Sequence, residues 1–215
     1  MRMDAERWNA RYASSDLVWS AGPNVFVEEE LAYLPPGRAL ELACGEGRNA
    51  LWLAQRGWDV TAVDFSKVAI EKGRSIERMR RTSGSGVAST FGYIRWKVAD
   101  ATTFTSATEF DVVLMTYLQV DAETRRKAIR AGFQTLRRGG VLLVVAHDST
   151  NLTEGAGGPQ DPAMLYTAED VLADLEGESF SVSRAKRVPR TIPGDKNAGE
   201  PDRVAWDALV RLTRD

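Results

Sequence analysis

The sequence predicts an α/β fold built on a mostly parallel sheet with helices on both faces. Three observations carry that expectation. From Arg38 onward, short apolar runs alternate with amphipathic helical stretches, the pattern of βαβ units. The first apolar run leads straight into a glycine-rich turn that opens a helix. Two late strand-like runs, 180–188 and 204–212, follow one another without a helix between them, so they must pair antiparallel.

The elements follow in order. Residues 5–12 read as a short helix with Trp8 and Tyr12 on one face at i, i+4. A loop over 14–22 holds Trp19. Residues 24–34 read as a helix, stopped by Pro35-Pro36-Gly37. Residues 38–43 form the first strand, and 48–56 a helix closed by Gly57. The second strand is 59–64; Ser66 caps a helix to about Met79. A Ser/Gly-rich loop, 81–92, precedes a strand at 93–98, and another strand spans 110–115. Asp121 caps a helix to about Arg138, ended by Gly139-Gly140. Residues 141–147 are a continuous apolar strand of the kind buried on both faces. The loop 149–163 is rich in Gly and Pro, and Thr167-Ala168-Glu169-Asp170 reads as a capping box. Residues 189–201 show no core-forming side chains.

Composition narrows the function classes. The 215 residues suit one domain with a full core. Within it, 1–34 reads as a helical cap, 35–148 as the cofactor-binding core and 149–215 as the acceptor side. The net charge of −2 gives no reason to expect nucleic acid. The basic cluster Arg125, Arg126, Lys127 and Arg130 reads as a solvated helix face. With one cysteine and one histidine, neither a disulfide nor a metal centre is expected. No signal peptide or membrane span is visible, which implies a soluble cytoplasmic protein acting on a small molecule.

The chemistry centres on Glu41-Leu42-Ala43-Cys44-Gly45-Glu46-Gly47-Arg48-Asn49. Glycines let the backbone turn tightly and approach a ligand; a side chain at Gly45 would occupy the ligand's space. The helix that follows presents unpaired N–H groups, which suit an anion such as the carboxylate of S-adenosylmethionine (AdoMet). Gly45-x-Gly47-x-x-Ala50 also fits a dinucleotide fingerprint. Glu41 weighs against that, because a pyrophosphate would meet its negative charge, whereas AdoMet is cationic at sulfur and at its amino group. Asp64, ending the second strand, suits two ribose hydroxyls, with Phe65 beside it. Asp100, followed by Ala101, is placed to accept from an adenine amino group.

These residues resemble motif I and the second- and third-strand acids of class I AdoMet-dependent methyltransferases. The Gly47-Arg48-Asn49 ending is similar to the tellurite-resistance methyltransferase branch and, less closely, to thiopurine methyltransferases. The specific match spans about 38–147. One departure is Ala43, which stands where the family has its first motif glycine. The resemblance implies a Rossmann-like seven-stranded sheet of order 3-2-1-4-5-7-6 with strand seven antiparallel, and AdoMet as cofactor. Alternatives are an AdoMet-binding regulator without transfer activity and an NAD-dependent oxidoreductase.

Acceptor chemistry is expected at the carboxyl ends of the fourth and fifth strands, which deliver Thr116, Tyr117, Leu118 and His147. Methyl transfer needs the nucleophile held in line with the methyl group inside a dry, aromatic enclosure. Tyr117 and Trp19 are the candidate walls, with Tyr12 and Leu118 as further substrate contacts. His147 is the candidate general base for an acceptor that must lose a proton. Arg48 is a candidate for the AdoMet carboxylate or an anionic substrate, and Cys44 reads as a small residue filling the turn. Asn151, Thr153 and Glu154 are polar candidates on the loop expected to border the acceptor pocket. A thiol, a metalloid oxyanion or a heteroaromatic compound all remain open as acceptor.

Overall fold

A computed structural model describes residues 5–14, 22–83, 91–195 and 198–215. Seven strands form one sheet: β1 (Arg38–Leu42), β2 (Asp59–Asp64), β3 (Ile94–Val98), β4 (Phe110–Thr116), β5 (Leu136–His147), β6 (Phe180–Ile192) and β7 (Arg203–Arg214). Their order is β3-β2-β1-β4-β5-β7-β6. The first five run parallel, and β7 lies antiparallel to both β5 and β6. This is the order the family resemblance implies.

Period-two alternation sorts the core into two layers. Ala39, Val112, Leu114, Leu143 and Val145 face α2 (Val25–Leu31) and α3 (Arg48–Gln55). Leu40, Leu42, Val113, Met115 and Leu142 face α5 (Ala122–Gln134) and α7 (Ala168–Asp174). The remaining helices are α1 (Ala5–Ala13), α4 (Lys67–Ser83) and the short α6 (Asn151–Glu154). None of the described helices is long and apolar enough to cross a membrane.

Several boundaries differ from expectation. The helix after Asp121 stops at Gln134, capped by Thr135, and β5 starts at Leu136. Gly139 and Gly140 therefore lie within a strand that shifts register against β4 between Phe110 and Val112. β6 runs through Pro189 to Ile192, where no core was expected. It is an edge strand, so the missing Pro189 N–H costs no ladder bond on an occupied side. Arg125 is not solvated: it is buried, and its Nε donates to Asp174 Oδ2 at 2.6 Å, tying α5 to α7. The capping box at Thr167 forms as expected, with Asp170 as its reciprocal partner.

Candidate active site

The turn after β1 has a backbone that few residues tolerate. Ala43, Gly45 and Gly47 all have positive φ, 56°, 55° and 76°. For the two glycines this costs little; Ala43 carries a Cβ into the left-handed region. Trp96 on β3 packs behind the turn, and a Cβ on Gly47 would stand 2.2 Å from its ring. Asp64 closes the front: its Oδ2 accepts from Gly45 N and its Oδ1 from Ser66 N, both at 2.8 Å. Burial pushes the Asp64 carboxyl above its usual range against the pull of those two N–H groups. Phe65 beside it keeps an exposed ring.

Glu41 is fully buried below the turn. Its carboxylate accepts from Asn49 Nδ2 at 2.8 Å and from Ala50 N at 2.9 Å, so it caps the first turn of α3. The helix N-terminus expected to serve a ligand carboxylate is thus partly taken by the chain's own acid. Burial raises the Glu41 pKa to about 7, opposed by those two hydrogen bonds. The Cys44 thiol is pushed well up by burial and by the nearby Asp64 and Glu41, which fits a packing role.

Asn49 links this half of the site to the other. Its Nδ2 also reaches Thr116 Oγ1 at 3.1 Å, and its Oδ1 accepts from Asn24 N at 2.8 Å. Asn24 Oδ1 caps α2 by accepting from Phe26 N, while its Nδ2 donates to the Tyr117 hydroxyl at 3.1 Å. Tyr117 in turn donates to Asp207 Oδ2 at 2.8 Å. Arg190 Nε donates to the same oxygen at 2.6 Å. Tyr117 has φ of 56°, a strained value for a bulky residue and the kind of outlier that gathers at functional sites.

The His147 ring lies 4.9 Å from the Tyr117 ring, centroid to centroid. Its Nδ1 stands 3.3 Å from Asp207 Oδ1. That approach is off the line a hydrogen bond needs, so Nδ1 is buried without a hydrogen-bond partner among the described residues. Burial favours protonation of Asp207, but His147, Arg190 and Tyr117 outweigh it and hold the carboxyl below the usual range. Burial raises the Tyr117 hydroxyl above the usual tyrosine range, with Asp207 adding to it. Two guanidinium groups, of Arg190 and Arg48, lie 5.5 and 5.9 Å from the Tyr117 ring. Burial, opposed by Tyr117 and Glu41, lowers the Arg48 pKa from the ordinary arginine value.

Residues 39–140 match a family described as a methyltransferase domain. Thiocyanate methyltransferase 1 of Brassica oleracea is 24% identical over 197 residues, covering 89% of this chain and 82% of the relative. The chain is an AdoMet-dependent methyltransferase. Solved structures share its fold. One is a protein solved in connection with conversion of a disulfide bond into a thioacetal group during echinomycin biosynthesis. It has 24% identity and a TM-score of 0.71, over 98% of this chain and 92% of that one. Another is the N-methyltransferase NodS from Bradyrhizobium japonicum WM9 with S-adenosylhomocysteine, at 18% identity, TM-score 0.70 and 99% of both chains.

The methyltransferase uses AdoMet as its methyl donor. Its turn fits that group: Gly45 and Gly47 hold left-handed backbone at the end of β1, and each Asp64 oxygen keeps a lone pair beyond its one backbone donor. Of the other expected residues, Thr116, Tyr117 and His147 lie at the carboxyl ends of β4 and β5, and Leu118 packs partly buried against the core. Asp100 is exposed, with Oδ1 accepting from Thr102 N and Oγ1 at 2.8 Å in a local turn, and Ala101 follows it. Tyr12 is buried on α1 and stacks on Trp8 at 5.5 Å. That helix is tied to the mouth of the site because the Ser66 hydroxyl donates to Asn9 Oδ1 at 2.7 Å. Trp19 lies outside the described residues.

The polar candidates on the 149–163 loop are spent on structure. Asn151 is buried, accepting from Trp206 N and donating to Gly157 O. Glu154 pairs with Arg187 at 2.5 Å, and the Thr153 hydroxyl turns to Thr150 O. Sequence reasoning missed Asn24, Arg190 and Asp207. Asp207 left a signal: a carboxylate inside the apolar run 204–210 has to find partners if buried. Arg190 left none, since the segment 189–201 shows no core-forming pattern.

Proposed function

We propose that this methyltransferase acts on a small acceptor and that the acceptor is a thiol. The observation that carries the reading is the buried hydrogen-bonded line from the glycine turn to the carboxyl ends of β4 and β5: Glu41, Asn49, Asn24, Tyr117 and Asp207. It ties the donor side to a corner of aromatic and cationic side chains, where the Tyr117 and His147 rings pack together and Arg48 and Arg190 flank the Tyr117 ring. The acceptor named for the Brassica relative is a sulfur nucleophile, and a second relative, probable thiol methyltransferase 2 of Arabidopsis thaliana, is 24% identical over 81% of this chain and 75% of its own length.

In this reading Ala43, Cys44, Gly45, Gly47, Arg48, Asn49 and Glu41 surround the methionine half of AdoMet. Asp64 takes the ribose hydroxyls with its free lone pairs. Phe65, Ala101 and the second oxygen of Asp100 border the adenine. Thr116, Tyr117, Leu118 and His147, with Tyr12 and Trp19 from a cap over 1–34, enclose the acceptor. Residues 35–148 serve the cofactor and 149–215 the acceptor. AdoMet, once bound, supplies an activated methyl group. The protein orients the sulfur nucleophile, excludes water and removes the thiol proton at His147. The buried, protonated Cys44 thiol suits a reducing cytoplasm. The test is mass spectrometry of a panel of thiols, thiocyanate, selenite, tellurite and heteroaromatic compounds incubated with enzyme and AdoMet. A thiol product supports the reading; methylation of the oxyanions or heterocycles alone overturns it.

A further inference from the structure

We propose that Asp207 is a positioning residue: it holds His147 as the Nδ1–H tautomer and so leaves Nε2 as the nitrogen that takes the acceptor's proton. The proposal rests on the thiol reading above for its catalytic consequence, and on geometry alone for the tautomer.

The sheet itself makes the pair. In the antiparallel ladder of β5 and β7, His147 stands directly opposite Asp207, where side chains on one face are neighbours. Asp207 Oδ2 is occupied by the Tyr117 hydroxyl and Arg190 Nε. Among the described residues its Oδ1 meets only Arg190 Nη2, at 3.5 Å, and His147 Nδ1, at 3.3 Å. A lone pair on a buried ring nitrogen facing an ionised carboxylate oxygen would be repelled; an N–H there is attracted. The ring is confined on other sides as well. A Cβ on Gly158 would lie 2.8 to 3.0 Å from its atoms and the Tyr117 ring is tilted against it, while the backbone N–H of His147, donating to Gln119 Oε1, fixes the main chain beneath it. Nδ1 and Oδ1 are already within hydrogen-bond distance, so a change of ring orientation alone makes the bond, as catalytic contacts often tighten with substrate bound.

The step balances as follows. The thiol S–H proton passes to Nε2, and a sulfur lone pair forms the new bond to the methyl carbon. The bond from that carbon to the donor sulfur breaks and leaves its electron pair there. The imidazolium beside Asp207 then releases its proton to water. Thiocyanate, already an anion without a proton, needs no such base.

His147 is the sole histidine, so untagged protein labelled with 15N-histidine gives one ring spectrum. With the ring neutral, Nδ1 is expected to be protonated and Nε2 bare; an Nε2–H tautomer overturns the proposal whatever the acceptor proves to be. For catalysis, the kcat ratio of 2-mercaptoethanol to thiocyanate is compared between wild type and Asp207→Asn. The ratio should fall about tenfold or more, with the thiol KM little changed, and Asp207→Glu should restore part of it. An equal loss for both acceptors makes Asp207 merely structural and sinks its catalytic role. If Asp207→Asn does not fold, His147→Gln must show the same fall in ratio. If wild type methylates neither compound, the thiol reading fails, while the ring spectrum still decides the tautomer.

Discussion

Ala43 holds a left-handed backbone at the tightest point of the cofactor turn. A Cβ there costs about 1–2 kcal/mol, part of which glycine would give back through its looser unfolded chain. Ala43→Gly should therefore raise unfolding free energy by about 0.5–1 kcal/mol in urea titrations while AdoMet binding persists. Glu41 makes a second prediction at this scale. Its pKa rises from 4.5 unfolded to about 7 folded. Between those values the folded chain keeps a proton that the unfolded chain has released. Stability must then fall as pH rises through that window, by roughly 3 kcal/mol, and level off above it. Glu41→Gln should flatten that slope whatever it does to absolute stability; an unchanged slope in the variant would remove Glu41 as its source. The neighbouring charges also bear on binding. A cationic donor close to Glu41 favours its ionised form, so AdoMet affinity should rise with pH over the same window.

Among the elements, α5 and α7 are joined by a buried ion pair. Asp174 is completely enclosed and Arg125 nearly so. Removing one partner of such a pair strands the other, at about 3–5 kcal/mol. Arg125→Ala should lose that much in chemical denaturation, whereas Arg125→Met with Asp174→Leu should recover most of it. This pair also shows what sequence could not reveal. The run of basic residues at 125–130 has the periodicity of a surface helix, and only the arrival of α7 from 49 residues downstream turns Arg125 inward. The strands and the glycine turn were legible because their signals are local: apolar alternation, Gly at left-handed positions, an acid near the end of each of the first three strands. The α5 to β5 boundary was not, since Gly139 and Gly140 punctuate a helix and a bulged strand alike. Asn151 was read as a ligand-facing side chain because the loop was expected to be open. In the structure it pins the loop to β7 instead.

For the molecule as a whole, cofactor binding and folding are linked. A ligand at 100 times its Kd adds about 2.7 kcal/mol to stability. Thermal denaturation should shift upward with AdoMet and not with NAD. Asp64→Ala should abolish most of the shift, since it removes the proposed ribose acceptor and the Gly45 anchor together; so should Gly45→Val, at a left-handed position closed to valine. A full shift in both variants would move the cofactor elsewhere. The global topology was legible only through the family resemblance. Two late strands predict a hairpin, but nothing local says that the second one inserts beside β5.

That insertion sets an order on synthesis. β7 lies between β5 and β6 in space, yet leaves the ribosome after both. Until it does, the β5 edge is bare and His147 faces no carboxylate. The nascent polypeptide can assemble the glycine turn early, but the corner of Tyr117, His147 and Asp207, the proposed acceptor side, is the last part to be built. A stalled translation product ending before β7 should thus hold the cofactor poorly shielded, expose a sticky strand to its neighbours and transfer nothing.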